Sequence, residues 1–215
     1  MVNVENYKRI KDELGSGITL VAVSKTKPIE DILELYNLGQ RDFGENYVQE
    51  LVEKAEKLPK DIRWHFIGHL QTNKVKLIAP FVQLIHGVDS LKLLKEINKQ
   101  AEKSNRVIDC LLQAHIAQEE TKFGFDEAEL SSTLKQLEIT EMLNVRVVGL
   151  MGMASFTDDM TRVKSEFQKL KTLFDLNAKF EILSMGMSSD YKTAVVEGSN
   201  MVRIGSLLFG ERANT

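Results

Sequence analysis

The chain alternates short apolar runs with longer segments in which apolar residues recur at helical spacing. The first run, Ile18–Val23, is rich in β-branched residues and is typical of a buried strand. From Ile29 to Leu38 the apolar positions follow the period of a helix. Pro28 suits the first turn of this helix, and Gly39 suits its C-terminal cap. These residues therefore predict one strand followed by one helix.

The same unit of strand and helix repeats along the chain. Seven further strands are predicted, near Arg41–Phe43, Arg63–Ile67, Phe81–His86, Val107–His115, Val145–Leu150, Glu181–Leu183 and Met201–Ile204. Helices are predicted ahead of the first strand and between strands, for example over residues 3–14, Leu91–Lys103 and Asp159–Leu173. This alternation favours an α/β fold with a parallel sheet covered by helices. Eight units favour a closed (β/α)8 TIM barrel with an extra N-terminal helix, and a doubly wound open sheet is the alternative.

Composition and charge narrow the class of protein. The 215 residues include three prolines and no linker rich in Ser, Gly and Pro, which predicts a single domain over residues 1–215. The formal net charge of −3 gives no basic excess, so we expect no nucleic-acid partner and no membrane partner. Apolar stretches fall short of the roughly 18 residues that span a membrane. The N-terminus lacks signal-peptide features, so we expect a cytoplasmic protein. The mixed charge run Glu53–Lys57 is interpreted as a solvated helix face.

Cysteine and histidine usage argues against a metal site. The single cysteine, Cys110, rules out an internal disulfide framework, and its apolar surroundings predict a buried hydrophobic role. His65 and His69 have the spacing of a zinc pair on a helix, but Ile67 and Gly68 interrupt any helix there. No suitable third ligand is evident in the sequence. We therefore expect no metal ion and place His69 at the barrel rim.

Lys25 is the first candidate for chemistry, because it follows strand one directly. In a (β/α)8 barrel, ligands bind in the loops that follow the strands. Lys27 points to the same side as Lys25 if the chain stays extended. A second cation and partial burial both favour the neutral amine that attacks an aldehyde. A solvated turn with two lysines is the alternative interpretation.

The other candidates also follow strands. Barrels often bind phosphate after strands seven and eight, where Ser184 and the pair Gly205-Ser206 lie. Free backbone N–H groups and a hydroxyl at a strand-to-helix turn suit an anion, although ordinary loop and capping chemistry would explain them too. Arg203 lies in an apolar strand and is predicted to face inward and to need a partner. Asn46 follows strand two near the same mouth.

Five segments of this chain match a known family in order and in spacing. They are Ala22–Lys25, Phe43–Tyr47, His65–Gln71, Leu183–Ser188 and Val202–Gly205. On these segments, and over essentially its whole length, the chain resembles the pyridoxal phosphate homeostasis protein family. The departures are minor: Ser206 stands where members often have threonine, which keeps the hydroxyl.

The resemblance implies a cofactor and a role for each candidate residue. The cofactor would be pyridoxal 5'-phosphate (PLP), held as a Schiff base on Lys25. Ser184, Gly205 and Ser206 would hold its phosphate, and Asn46 would line the pocket. The fold would be similar to the barrel domain of alanine racemase.

The resemblance also implies that Arg203 approaches the pyridine nitrogen of the cofactor. An arginine there keeps the nitrogen unprotonated and weakens the electron sink that drives carbanion chemistry. Members would be carriers in vitamin B6 homeostasis without established turnover, with PLP-dependent apoenzymes as transient acceptors, and we expect a monomer or weak dimer. A PLP-dependent racemase or decarboxylase with a one-domain active site is the alternative, although we expect no second domain to supply another base. A protein-binding scaffold with a vestigial pocket is a third class.

Overall fold

The fold is a closed barrel of eight parallel strands. A computed structural model describes residues 2–117, 123–139 and 142–210. The strands are β1 Thr19–Val23, β2 Asp42–Glu45, β3 Arg63–Phe66, β4 Leu84–Val88, β5 Ile108–Gln113, β6 Val145–Met151, β7 Ile182–Ser184 and β8 Met201–Ile204. Each strand pairs with the next, and β8 pairs with β1. The predicted (β/α)8 barrel is confirmed, and the open-sheet alternative is wrong. The predicted domain, 1–215, includes residues outside the described ranges.

Helices cover the outside of the barrel. They are α1 Val4–Leu14, α2 Ile29–Asn37, α3 Val48–Lys57, α4 Val75–Ile78, α5 Leu91–Lys103, α6 Glu127–Ile139, α7 Met160–Asp175, α8 Tyr191–Val196 and α9 Ser206–Phe209. The predicted N-terminal helix is confirmed as α1, and the bounds predicted for α5 match those of the structure. Asp159 caps α7 instead of belonging to it, because its side chain accepts hydrogen bonds from the N–H groups of Thr161 and Arg162. Among the described residues, no helix is long and apolar enough to cross a membrane.

Local hydrogen bonds explain where several elements begin and end. The strand predicted at Phe81–His86 starts only at Leu84, because the N–H groups of Phe81 and Val82 both donate to Ile78 in a turn. At the end of α2, the N–H of Gln40 donates to Leu35 and that of Gly39 to Tyr36. This is a Schellman cap, and the φ of +99° at Gly39 explains the glycine there. Pro28 is the N-cap residue of α2.

The inside and the outside of the barrel differ in chemistry. Outward side chains of the strands, such as Phe43 and Phe66, pack against helix residues such as Phe167 and form the main core between the sheet and the helices. A second apolar cluster fills part of the interior and comprises Val21, Leu84, Leu111, Val148, Met151 and Met201. Interior positions two residues further along β4 and β8 carry polar side chains, His86 and Arg203. The polar interior therefore lies toward the C-terminal ends of the strands, where barrels bind ligands.

Candidate cofactor-binding site

A cavity of about 540 Å³ opens at the C-terminal ends of the strands. Of the six residues predicted for the site, five line it: Lys25, Asn46, Arg203, Gly205 and Ser206. Much of the remaining wall is apolar and includes Met153 and Met187, flexible side chains suited to filling gaps in a pocket wall. Residues from both ends of the sequence therefore meet at one mouth, as the barrel requires.

The backbone on both sides of Lys25 is held in place by α3. The carbonyl of Ser24 accepts a hydrogen bond from Lys54 Nζ at 2.7 Å. The N–H of Thr26 donates to Glu50 Oε1 at 2.6 Å. Thr26 has φ of +61°, a left-handed conformation that is rare for a β-branched residue. Lys25 thus projects from a sharp turn whose two flanking residues are fixed.

A buried ion cluster stabilises this turn, and we call Ser24, Glu45, Glu50 and Lys54 the clamp. Lys54 Nζ contacts Glu45 Oε1 at 2.8 Å and Glu50 Oε1 at 2.7 Å. Ser24 Oγ donates to Glu45 Oε1 at 2.6 Å. Burial raises the pKa of Glu45, although Lys54 and Ser24 act in the opposite direction. Lys54 is 5% exposed, so the interpretation of its charge run as a solvated face is wrong at this residue.

Lys27 also lines the cavity, although the chain turns at Thr26 and does not stay extended as the prediction for Lys27 assumed. Its ammonium group donates to the carbonyls of Phe209 at 2.9 Å and Gly210 at 3.3 Å. These carbonyls lie at the end of α9, where a cation is favourable. Lys27 therefore joins the loop after β1 to the end of the last described helix.

Asn46 lines the cavity and has a buried amide oxygen. Its Oδ1 has no hydrogen-bond partner among the described residues. A Cβ at Gly68 would overlap the carbonyl oxygen of Asn46, so only glycine lets the loops after β2 and β3 approach this closely. Leaving a buried acceptor unpaired costs about 1–3 kcal/mol. This oxygen therefore points to a ligand that carries a donor.

The end of β8 supplies donors without positive charge. Gly205 and Ser206 form the turn into α9, and the N–H of Gly205 donates to Ser188 Oγ at 3.3 Å. The first N–H groups of a helix, here those of Ser206 and Leu207, have no intrahelical acceptor. Ser188 and Ser189 also line the cavity. Together these groups can bind an anion through neutral hydrogen bonds.

Ser184 does not line the cavity. It is fully buried, and its hydroxyl lies 3.1 Å from His86 Nδ1 and 2.6 Å from Arg203 Nη1. The side chain points into the barrel interior, because it is the last residue of β7 rather than part of the following loop. Its expected contact with a phosphate is therefore corrected, and Ser188 takes its place in the proposal below.

Arg203 faces inward, as predicted, and its partners are uncharged. Nη1 donates to the carbonyl of Ser184 at 2.9 Å, and Nη2 donates to the carbonyl of Gly152 at 3.2 Å. Burial lowers the pKa of the guanidinium to about 10, so Arg203 remains protonated at neutral pH. Within the described ranges it forms no ion pair. Arg203 is thus a buried, charged donor at the cavity wall.

Two histidines that the sequence analysis gave no role in the site lie beneath Arg203. His86 contacts Ser184, and His65 contacts His86. The sequence signal available for both histidines was a polar residue inside an apolar strand. The same signal identified Arg203. His69 lies at the rim, 3.0 Å from Asp89 and stacked on Phe123. The described residues contain no group of three or more His, Cys, Asp or Glu suited to a metal ion.

Comparison with known proteins identifies the family. The profile of the alanine racemase N-terminal domain matches residues 4–213. The chain is 44% identical to the pyridoxal phosphate homeostasis protein of Aquifex aeolicus (strain VF5), over 97% of this chain and 95% of that protein. The chain belongs to the pyridoxal phosphate homeostasis protein family. The human member is 43% identical over 90% of this chain and 76% of its own length.

A solved structure is similar to this chain over almost its whole length. PipY of Synechococcus elongatus PCC7942, whose structure was determined with PLP bound, superimposes with a TM-score of 0.87. It is 34% identical, and the alignment covers 96% of this chain and 99% of PipY. The resemblance drawn from the five sequence segments is therefore confirmed.

Proposed function

We propose that this protein binds PLP in the cavity at the barrel mouth and acts in intracellular PLP homeostasis as a carrier, not as an enzyme. The observation that carries the proposal is the convergence of an amine, a buried acceptor, a guanidinium and an anion-binding turn on one cavity. PLP has an aldehyde, a ring hydroxyl, a ring nitrogen and a phosphate. Each group thus meets a chemically suitable partner. The names of the relatives and the PLP-bound structure of PipY support the same assignment.

Each partner has a distinct task. The Lys25 amine condenses with the aldehyde, forming a C=N bond and releasing water, so that the cofactor is held as a Schiff base. Asn46 lines the pocket beside the ring. Gly205, Ser206 and Ser188 hold the phosphate through backbone N–H groups and hydroxyls.

Arg203 supports the role of carrier. Bound PLP supplies an electron sink, which works best when its ring nitrogen is protonated beside a carboxylate. Arg203 can only donate, so the nitrogen opposite it stays an unprotonated acceptor. Among the described residues that line the cavity, the titratable side chains are Lys25, Lys27 and Arg203. Lys27 is bound to two carbonyls, which leaves Lys25 as the base on one face only, whereas racemisation needs a base on each face.

The proposed carrier role depends on reversible attachment of the cofactor. A Schiff base and neutral phosphate contacts release the cofactor more readily than a cage of ion pairs, so PLP-dependent apoenzymes are suitable transient acceptors. We propose that the protein is a cytoplasmic monomer or weak dimer whose single domain spans residues 1–215.

The proposal is tested by trapping the linkage. After addition of PLP, the parent protein should show Schiff-base absorbance, and borohydride should fix the cofactor on the peptide that contains Lys25. Lys25→Ala should lose this adduct, and Lys27→Ala is the matched control that should keep it. An adduct on Lys27 alone would contradict the assignment. Racemisation or decarboxylation of amino acids at enzymatic rates would contradict the carrier role while leaving the binding site intact.

A further inference from the structure

A continuous line of hydrogen bonds runs through the barrel interior beneath Arg203. Arg203 Nη1 lies 2.6 Å from Ser184 Oγ, and Ser184 Oγ lies 3.1 Å from His86 Nδ1. His86 Nε2 lies 2.9 Å from His65 Nδ1, and His65 Nε2 lies 3.1 Å from Asp42 Oδ1. We call these five residues the interior chain. They come from β8, β7, β4, β3 and β2, so the closed barrel is what brings them together.

The interior chain connects the cavity with the opposite side of the barrel. Ser184 and His86 are fully buried, and His65 and Arg203 are 2% and 4% exposed. Asp42 is the first residue of β2, at the N-terminal end of the strand, where it pairs with the half-exposed Arg63. The two charged ends of the chain are thus separated by a buried hydroxyl and two buried imidazoles.

Donor and acceptor chemistry favours one direction of hydrogen donation along this chain. A guanidinium only donates, so Ser184 Oγ accepts from Arg203 and directs its own hydrogen to His86 Nδ1. The proton of neutral His86 is then on Nε2, from which it is donated to His65 Nδ1. His65 in turn carries its proton on Nε2 and donates it to the Asp42 carboxylate. Both histidines are therefore neutral Nε2–H tautomers.

The reverse direction is disfavoured. It would require a doubly protonated His65 and would place a proton on His86 Nδ1. The hydroxyl hydrogen of Ser184 would then have no acceptor among the described residues. Burial, and next the neighbouring His65 and Arg203, hold the pKa of His86 well below its ordinary value, which favours the neutral ring.

We propose that His86 is a positioning residue for Arg203. His65 and Asp42 hold the His86 ring in place. His86 accepts a hydrogen bond from the Ser184 hydroxyl and so orients the Ser184 oxygen toward the guanidinium. Arg203 is thereby fixed as a donor to the ring nitrogen of the cofactor. The inference rests on the proposed function for that last contact, but the direction of the chain does not depend on the cofactor.

The direction is tested first, without PLP. Nitrogen NMR of protein labelled with ¹⁵N-histidine, at neutral pH, should show His65 and His86 as neutral rings with the proton on Nε2. Single His65→Asn and His86→Asn variants assign the two signals. A proton on Nδ1 of His86, or a doubly protonated His65, would overturn the inference whether or not the protein binds PLP.

Positioning is tested with ring-labelled ¹⁵N-PLP. His86→Leu removes the acceptor for Ser184, whereas His86→Asn offers an amide oxygen near the position of Nδ1. The ring-nitrogen shift should move in the leucine variant and PLP should bind about tenfold more weakly, with both values returning toward the parent in the asparagine variant. Ser184→Ala interrupts the chain with a smaller loss of volume and should move the shift in the same way.

Failure of this inference is distinguishable from failure of the proposed function. If the parent forms no adduct on Lys25, the proposed function fails, and the tautomer result still stands alone. If the adduct forms but His86→Leu and Ser184→Ala leave the ring-nitrogen shift at its parent value, His86 does not position Arg203.

Discussion

The clamp beside Lys25 and the interior chain beneath Arg203 hold two sides of one cavity by different means. The clamp is charged at its centre, where Lys54 is shared between Glu45 and Glu50. The interior chain has its charged groups, Arg203 and Asp42, at its two ends, and the inferred direction of donation makes the two imidazoles between them neutral. The clamp fixes a strained backbone turn, whereas the chain fixes the direction of a donor. The clamp thus restrains the main chain on both sides of Lys25, whereas the interior chain contacts the side chain of Arg203.

Substitutions in the clamp and in the interior chain should therefore have different effects. Removing one partner of a buried ion pair leaves an uncompensated charge and typically costs about 3–5 kcal/mol. Removing one neutral hydrogen bond costs about 1–3 kcal/mol when a buried group is left unpaired. The comparison thus predicts that the clamp contributes more to folding, while the interior chain acts mainly on the properties of the bound cofactor.

The largest effect is expected for Lys54→Met. This change leaves the fully buried Glu45 without its cation and should lower the free energy of unfolding by about 3–5 kcal/mol. Denaturant unfolding measures the change. Lys57→Met is the matched control, since Lys57 lies on the same helix in an exposed pair with Glu53; it should cost less than about 1 kcal/mol. Equal losses in the two variants would remove the distinction between the clamp and a surface ion pair.

The anion-binding turn at Gly205 and Ser206 extends the comparison. Its hydrogen-bond donors are neutral, like the groups in the middle of the interior chain. Each hydrogen bond to a charged phosphate is worth roughly 1.5–3 kcal/mol. Pyridoxal without phosphate should therefore still attach to Lys25, but only at concentrations at least about a hundredfold higher. Titration followed by Schiff-base absorbance measures the ratio. Equal affinities would show that the anion-binding turn does not hold the phosphate.

The sequence predicts the fold well, because hydrophobic periodicity identifies strands and helices that the barrel then buries. It predicts the ends of elements less well, because these depend on hydrogen bonds. The turn at Phe81 and Val82 delays β4, for example, although the side chains there are apolar enough for a strand.

Five predicted site residues line the cavity because loops after parallel strands converge at one mouth. Ser184 is the exception among the predicted site residues. The exact end of the strand determines whether its side chain faces the barrel interior or belongs to the following loop. Lys54 and His86 were missed for another reason: their partners lie on other elements, and a charge run or an apolar strand does not reveal such contacts. The signals for the fold are local, whereas those for the clamp and the interior chain are not.

Acid should act on Asp42, which lies at the end of the interior chain farthest from the cavity. Although burial acts in the opposite direction, hydrogen bonds from Arg63 and His65 hold the pKa of Asp42 at about 2, below its ordinary 3.8. Because the folded pKa is the lower one, ionised Asp42 stabilises the fold above about pH 4, by about 2 kcal/mol, and this contribution is lost as the pH falls toward 2. Asp42→Asn should therefore lower stability at neutral pH and make little difference near pH 2.

Urea unfolding of parent and variant across this pH range measures the difference. Asp12→Asn removes an exposed carboxylate on α1 and serves as the control. A constant difference between parent and Asp42→Asn down to about pH 2 would show that the charge of Asp42 is not what stabilises the outer end of the chain.

The smallest effect separates two serines that the sequence places within one short segment. Ser188 lines the cavity beside Gly205, and Ser184 lies beneath Arg203 in the interior chain. Ser188→Ala should weaken PLP about tenfold, the equivalent of one hydrogen bond of about 1.4 kcal/mol, and leave pyridoxal unchanged because pyridoxal has no phosphate. Ser184→Ala should weaken both ligands by a similar factor, because its effect falls on the ring they share. Titrations of both ligands against both variants give the two ratios. If Ser184→Ala lowers the preference for PLP over pyridoxal and Ser188→Ala does not, Ser184 belongs to the phosphate site after all, and the division of the cavity into separate phosphate and ring supports is wrong.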